Sequence, residues 1–297
     1  MGERLPVHIR PARENDTADM LEVTRQIWEG HDYVPLVWPG WLADPNGGLL
    51  VAEHQGRVIG LGKLSHLAGD DWWLQGLRVH PEFERHGVAT QITEALVEEW
   101  QRNGSGTVRL ATSSQRLPVH QLCERLGFVK VGEYSVFVAP AADEATPAFL
   151  PTSLDFRPLL DSESEEAAEF ALNSPTLSLA DGLMDLSWQW APPHPALFQQ
   201  AIQRQQAWWW HGRRGLLAIY IDQDDEDIEP PRPFIEVAAC ELNQLATLLL
   251  NFRRLAASLG YQKAGWNAAL HPDLMPILEQ AGFERVWEHA LFVYSKS

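Results

Sequence analysis

The sequence predicts an α/β chain made of two tandem copies of one fold, the second degenerate. Three observations predict it. Strand and helix patterns alternate through the first half. The run LGFVKVGEYSVFV at Leu126–Val138 returns as AGFERVWEHALFV at Ala281–Val293, each preceded by a helix, a strand and a second helix. A stretch rich in Ala, Pro and acidic residues separates the halves. The expected division is a first domain over 1–140, a linker over 141–152 and a second domain over 153–297, in keeping with a chain of 297 residues.

Each element has a local reason. Val7–Pro11 reads as a strand. Asn15 or Asp16 caps a helix running to about Trp28, with Met20, Val23 and Ile27 near helical spacing. Leu36–Ala43 is at best a short helix, and Asp44-Pro45-Asn46-Gly47 is a turn. Leu49–Glu53, Val58–Leu67 and Trp72–Val79 are strands joined by turns at Gln55-Gly56 and Asp70-Asp71. Gly87–Arg102 is amphipathic, with Val88, Ile92, Ala95, Leu96 and Trp100 on one face. Val108–Thr112 is a strand, Leu117–Leu126 a helix ended by Gly127, and Phe128–Val138 closes the sheet. In the second half, Trp208–Trp210 opens a strand as packing or as a stacking platform. Phe234–Ala238 is a strand, and Leu242–Leu259, Lys263–Asn267 and Pro272–Gln280 continue the pattern. Gln223–Glu229 reads as a solvated acidic loop.

A formal net charge of −17 argues against nucleic acid and anionic membranes as partners. No apolar run reaches membrane-spanning length, and the N-terminus lacks a signal-peptide core. Cys123 and Cys240 fit no metal spacing and sit in apolar runs, so no metal and a reducing cytoplasm are expected.

The chemistry concentrates in Leu74–Thr90. A strand ends at Val79, a turn follows, and a helix opens near Gly87. Main-chain N–H groups at a helix start lack internal partners, and the dipole is positive there. Gly87 and Ala89 leave room for a diphosphate to approach the backbone.

This stretch resembles motif A of the GCN5-related N-acetyltransferase (GNAT) family, in which a Gln/Arg-x-x-Gly-x-Gly/Ala loop grips the pyrophosphate of acetyl-CoA. Leu122–Phe128 resembles motif B. The likeness covers about residues 5–139 well and 150–297 only as a degenerate copy. It implies a mixed, mainly antiparallel twisted sheet flanked by helices, and acetyl-CoA as co-substrate. The implied cofactor contacts are Leu77, Arg78, Val79, Glu84, Arg85, His86, Gly87, Val88, Ala89 and Thr90. A narrower likeness, through Asp32-Tyr33-Val34-Pro35, Trp41-Leu42, Asp44-Pro45 and Gly76-Leu77-Arg78-Val79, is to the histidine N-acetyltransferase-like group, and implies a free amino acid as acceptor.

Three positions depart from the family pattern. Glu84 replaces Gln or Arg, so Arg85 or His86 supplies positive charge or Glu84 points away. Cys123 stands where the family has the tyrosine that protonates the departing thiolate, and Arg116 where it has an asparagine. An attacking amine must be neutral. Deprotonating a lysine of pKa about 10.4 near pH 7.4 costs about 4 kcal/mol, whereas an α-amine near 8 costs under about 1 kcal/mol. The strand before the loop offers Gln75, which cannot take a proton. A small molecule with a low-pKa amine therefore suits the site better than a protein lysine. His120 is the foremost base candidate, ahead of His80, Asp70, Asp71 and Glu53. Asp32 could hold an acceptor ammonium, and Tyr33 could stack on its ring. The expected catalytic set is His120, Cys123 and Tyr33. The second half lacks a Gly-containing loop, so it is expected to complete the sheet, wall the acceptor site or form a homodimer face. A non-catalytic acyl-CoA-binding or regulatory module is the alternative to an active enzyme.

Overall fold

The computed structural model describes residues 4–103, 105–141, 155–222 and 230–297. The expected linker, apart from Ala141, and the acidic loop Gln223–Glu229 lie outside the described residues. The chain divides into two compact units. The first comprises 1–110, 118–129 and 295–297, and the second 111–117 and 130–294.

The first unit holds β1 (His8–Pro11), α1 (Thr17–Thr24), α2 (Val34–Ala43), β2 (Gly47–His54), β3 (Arg57–Ala68), β4 (Asp71–Val79), α3 (Val88–Asn103), the start of β5 (Thr107–Ser113) and most of α4 (Leu117–Arg125). Its strands lie in the order β1-β2-β3-β4-β5. The pairs from β1 to β4 are antiparallel, and β4 runs parallel to β5. α1 stops at Thr24, short of the expected Trp28, and a 3-10 turn follows at Ile27–Gly30. α2 is a full ten-residue helix, begun by Pro35 in its first turn, where a missing N–H costs nothing. Met20, Val23, Val34, Trp38, Val51, Val58 and Leu61 form the core beneath it.

The second unit holds β6 (Val129–Pro140), β7 (Phe156–Pro158), α5 (Ser164–Leu172), α6 (Pro175–Ser178), β8 (Met184–Asp185), β9 (Trp190–Ala191), α7 (Pro195–Gln203), β10 (Ala207–Trp210), β11 (Gly215–Asp222), β12 (Arg232–Cys240), α8 (Leu245–Ser258), β13 (Lys263–Ala269), α9 (Met275–Gln280), β14 (Glu284–Arg285) and most of β15 (Leu291–Lys296). Its sheet runs β15-β6-β13-β12-β11-β10-β7. β7, β10, β11, β12 and β13 repeat the order and directions of β1–β5, including the one parallel pair, β12 with β13. β6 pairs antiparallel with β13 over Tyr134–Pro140. That strand, which the boundary at 140 assigns to the first domain, therefore lies with the second unit.

An ion pair marks the repeat as clearly as the strands do. Arg10, on β1, grips Asp16 through two hydrogen bonds of 2.8 Å, and Asp16 also accepts the Arg13 N–H. Arg157, on β7, grips Glu163 in the same way, and Glu163 accepts the Leu160 N–H. Both copies read Arg-Pro followed by an acid six residues after the Arg.

The second copy has changed inside. β12 and β13 pair only at Phe234–Ile235. Beyond that point, the edge that β12 turns away from β11 is occupied by α6. Thr176 Oγ1 donates to Ala238 O at 2.7 Å and accepts the Cys240 N–H at 3.3 Å, and Ser174 Oγ donates to Cys240 O at 3.1 Å. Both side chains are buried. All three tryptophans of Trp208–Trp210 are also buried, so they pack rather than form an open platform.

Two acids are sealed in this core. Asp185 accepts from Asn267 Nδ2 at 2.7 Å, the Trp188 N–H at 2.7 Å and Tyr220 OH at 3.0 Å. Glu236 accepts from Arg204 at 2.6 Å. Burial pushes their pKa values up, to about 7 for Asp185 and about 8 for Glu236, against the partial offset of their donors. The folded state thus holds protons that the unfolded state releases. Their stabilising contribution is complete below about pH 4 and falls away as pH rises through 8. The paired acids Asp16 and Glu163 have lowered pKa values and act in the opposite sense, at lower pH. We expect urea midpoints to fall between pH 5 and 8.5, with a slope of at most about 1.4 kcal/mol per pH unit for each group. Glu236→Gln should flatten the upper half of that dependence. Parallel pH profiles for wild type and variant would refute the assignment.

Candidate functional site

The candidate site lies where β4 leaves β5. Those strands pair only from Asp71–Trp73 to Thr107–Arg109. Further on, β4 carries a bulge: Arg78 faces Leu61, but Gln75 faces Lys63, so Gly76 and Leu77 are one residue too many. Gly76 has φ +63°, and a Cβ there would meet the Trp41 ring at 2.5 Å. Only glycine satisfies both demands.

Arg78 braces the bulge. Its Nη1 donates to Leu77 O at 3.2 Å, while Nε and Nη2 donate to Asp32 at 2.8 and 3.0 Å. The guanidinium lies 5.4 Å from the Tyr33 ring centre, and Tyr33 meets Trp41 edge-on at 6.1 Å. The segment after α1 therefore abuts β4. Asp32, however, is not open to an acceptor ammonium. Its side chain is 2% exposed, it is committed to Arg78, and it also accepts the Val34 N–H. Arg78 likewise turns its side chain to Asp32 and Tyr33, which leaves its main chain for any cofactor contact.

Past Val79 the chain makes a short 3-10 turn at Pro81–Phe83 and then the loop. Arg85 and Gly87 have φ of +63° and +74°. Leu5 N–H binds His86 O at 3.0 Å and Gln91 N–H binds Gly87 O at 3.2 Å, which fix the loop from both sides. None of the main-chain N–H groups from Arg85 to Thr90 donates to an acceptor among the described residues. Six such donors in sequence at the start of a 16-residue helix are an arrangement that suits a multiply charged anion.

Glu84, Arg85 and His86 are exposed. Two further cations stand by the loop. Arg125, from α4, donates to Thr90 Oγ1 at 2.8 Å. The Arg4 side chain passes beside Gly87 and pairs with Glu94 at 2.7 Å. Sequence reasoning missed both; the basic residue just before Leu126-Gly127 was the available signal for Arg125.

The expected proton carriers fare unequally. His120 is buried on the inner side of α4 with Leu122 and Cys123. Cys123 is 1% exposed, and burial pushes its thiol up to about 12. Its surroundings, with His120 and Leu122 buried on the same helix, suit packing. Losing a general acid costs at least about a hundredfold in rate. Cys123→Ser should instead leave kcat within a few-fold, and a hundredfold fall in turnover would restore the residue to the mechanism. Gln75 donates to Ser65 Oγ at 2.9 Å. His80 Nδ1 accepts the Glu82 N–H, capping the turn. Glu53 is paired with Arg10. Asp71 is paired with Arg109 and begins β4, with Asp70 in the turn just before it, about 25 Å from the strand's other end. Among the described residues no three His, Cys, Asp or Glu side chains gather as a metal site, and no helix is long and apolar enough to cross a membrane.

Residues 15–128 match the Acetyltransferase (GNAT) family, a span that takes in the bulge, the loop and α4. That match places a GNAT domain in this part of the chain. Across 98% of its length the chain shares its fold with a GCN5-related N-acetyltransferase from Sphaerobacter thermophilus, at TM-score 0.64 and 14% identity, covering 95% of that chain. It shares it also with a tandem GNAT protein from the clavulanic acid biosynthesis pathway, at TM-score 0.60 and 13% identity, covering 98% of each chain. Among curated relatives, the human probable N-acetyltransferase 16 is 29% identical over 202 residues, 63% of this chain and 54% of the relative. Histidine N-acetyltransferase of Oreochromis niloticus is 33% identical over 88 residues, 29% of this chain and 26% of the relative. The chain thus spans about half, or less, of the curated relatives it matches.

Proposed function

We propose that this protein transfers an acetyl group from acetyl-CoA to the amine of a small molecule, with the α-amine of a free amino acid such as histidine as the sharpest candidate. One observation carries the reading: six unpaired N–H groups from Arg85 to Thr90, at a helix start flanked by Arg125 and Arg4. They suit the diphosphate of CoA, held by charge-assisted hydrogen bonds. The thioester then lies along the open edge of β4 near Leu77–Val79. The neutral amine nitrogen attacks the thioester carbonyl, the C–S bond breaks, CoA leaves as thiolate, and the proton the nitrogen gives up passes through water to that thiolate. Gln75 supplies no base, so an amine that loses its proton more easily than a lysine side chain fits best. The histidine N-acetyltransferase relatives point the same way. Two unpaired buried thiols, Cys123 and Cys240, fit a reducing compartment such as the cytoplasm.

A second reading, a non-catalytic acyl-CoA-binding module, is favoured by Gln75 and by the buried Cys123. Calorimetric titration with acetyl-CoA followed by an amine panel separates the two. Binding with release of CoA thiol to at least one amine supports transfer. Binding without release across amino acids and aryl amines supports the second reading. No binding removes both.

A further inference from the structure

A cavity in the second unit lies between the β10–β11 turn and the start of α8. Trp210 and Arg214 line it from the turn, Asn243 and Gln244 from the 3-10 turn Leu242–Gln244 that leads into α8, and Thr247 and Asn251 from α8 itself. Thr247 and Asn251 are four apart and share one helix face. The core side of the same helix, with Leu245, Leu248, Leu249 and Phe252, is apolar. Asn251 lies buried at the inner end of this polar stripe, Gln244 and Thr247 are half-buried, and Asn243 is exposed at the mouth.

The described residues provide none for several of these groups. The Asn251 side chain is 6% exposed and makes no hydrogen bond within them. Trp210 is 3% exposed, and its indole N–H has no acceptor. Gln244 Oε1 has no donor. Arg214 is exposed and enters no ion pair among the described residues, whereas Asp155, at the rim, is engaged by His211 Nδ1 at 2.8 Å. The mouth therefore offers one uncommitted cation, and the interior offers a donor, an acceptor and an amide that can be either.

We propose that this cavity binds a small carboxylate with an amide or heteroaromatic body. Its carboxylate meets Arg214, and its body exchanges hydrogen bonds with Asn251, Gln244 and the Trp210 N–H against the indole wall. No residue of the first unit takes part, so the proposal stands apart from acetyl transfer.

The test titrates the full chain with N-acetylglycine and with imidazole-4-acetate, and in parallel with acetate and acetamide as fragments. The readout is the indole N–H resonance that disappears in Trp210→Phe. A saturable shift is expected with one of the two whole probes, at least about tenfold tighter than with either fragment. Arg214→Ala should weaken it by about tenfold or more. Asn251→Leu should abolish it; if that variant fails to fold, Thr247→Val serves at the same wall. No saturable shift with any probe, or shifts unaltered by the substitutions, would overturn the proposal. Acetyl-CoA titrated into the same sample checks the first unit separately, so either reading can fail alone.

Discussion

Replacing Gly87 with valine should raise the Kd for acetyl-CoA by at least about a hundredfold, equal to the loss of about two charge-assisted hydrogen bonds. Gly87 holds φ +74°, where a branched side chain is disfavoured by about 1–2 kcal/mol. The space around it is not the obstacle, since the nearest atom to an added Cβ is the flexible Arg4 Cγ at 3.4 Å. What fails is the aim of the N–H groups. A loop that relaxes out of the left-handed region no longer turns His86, Gly87 and Val88 towards one anion. The apo protein should lose little, with a fall in Tm of a few degrees at most for about 1 kcal/mol. Unchanged affinity by calorimetry would show that the anion binds elsewhere.

The second large effect concerns the brace behind the bulge. Arg78→Ala should destabilise the first unit by about 3–5 kcal/mol, because it strands the Asp32 carboxylate in a buried position. Asp32 would keep only the Val34 N–H among its recorded partners. Arg78→Lys should recover part of the loss but not all, since one ammonium cannot reproduce a bidentate fork or reach Leu77 O at the same time. The double variant Asp32→Asn/Arg78→Ala should be less damaged than Arg78→Ala alone. Urea unfolding measures all three, and an Arg78→Ala midpoint within 1 kcal/mol of wild type would sink the assignment.

What the sequence disclosed was what is local. The β4–loop–α3 run and α4 announce themselves through strand patterning, glycine placement and helical period. The recurring segments at Leu126 and Ala281 disclosed the duplication. What stayed hidden depends on pairs distant along the chain. Asp32 looked available because nothing nearby claims it; its partner stands 46 residues further on. Arg125 and Arg4 reach the loop from other elements, so Glu84 looked more damaging than the electrostatics make it. Cys123 was read by its position in a motif, but the inner face of α4 decides its thiol chemistry. The Arg-Pro pattern with its acid six residues on was legible, yet it is short and acquires meaning only when both pairs are seen closed. Residues 156–203 gave no clear period because α6, β8 and β9 are too short to show one.

The hydroxyls of Thr176 and Ser174 give the second copy an unusual standing. They fill its groove with the chain's own atoms, as a tethered ligand would, without the loss of translational freedom that a diffusing molecule must offset. Such a groove is always saturated. Nucleotide binding should therefore reach a stoichiometry of one per polypeptide, and the second copy should have the same rigidity in starved and in replete conditions. On the proposed reading the duplication separates two duties: the first copy exchanges its occupant at each turnover, and the second keeps the chain's own hydroxyls in place.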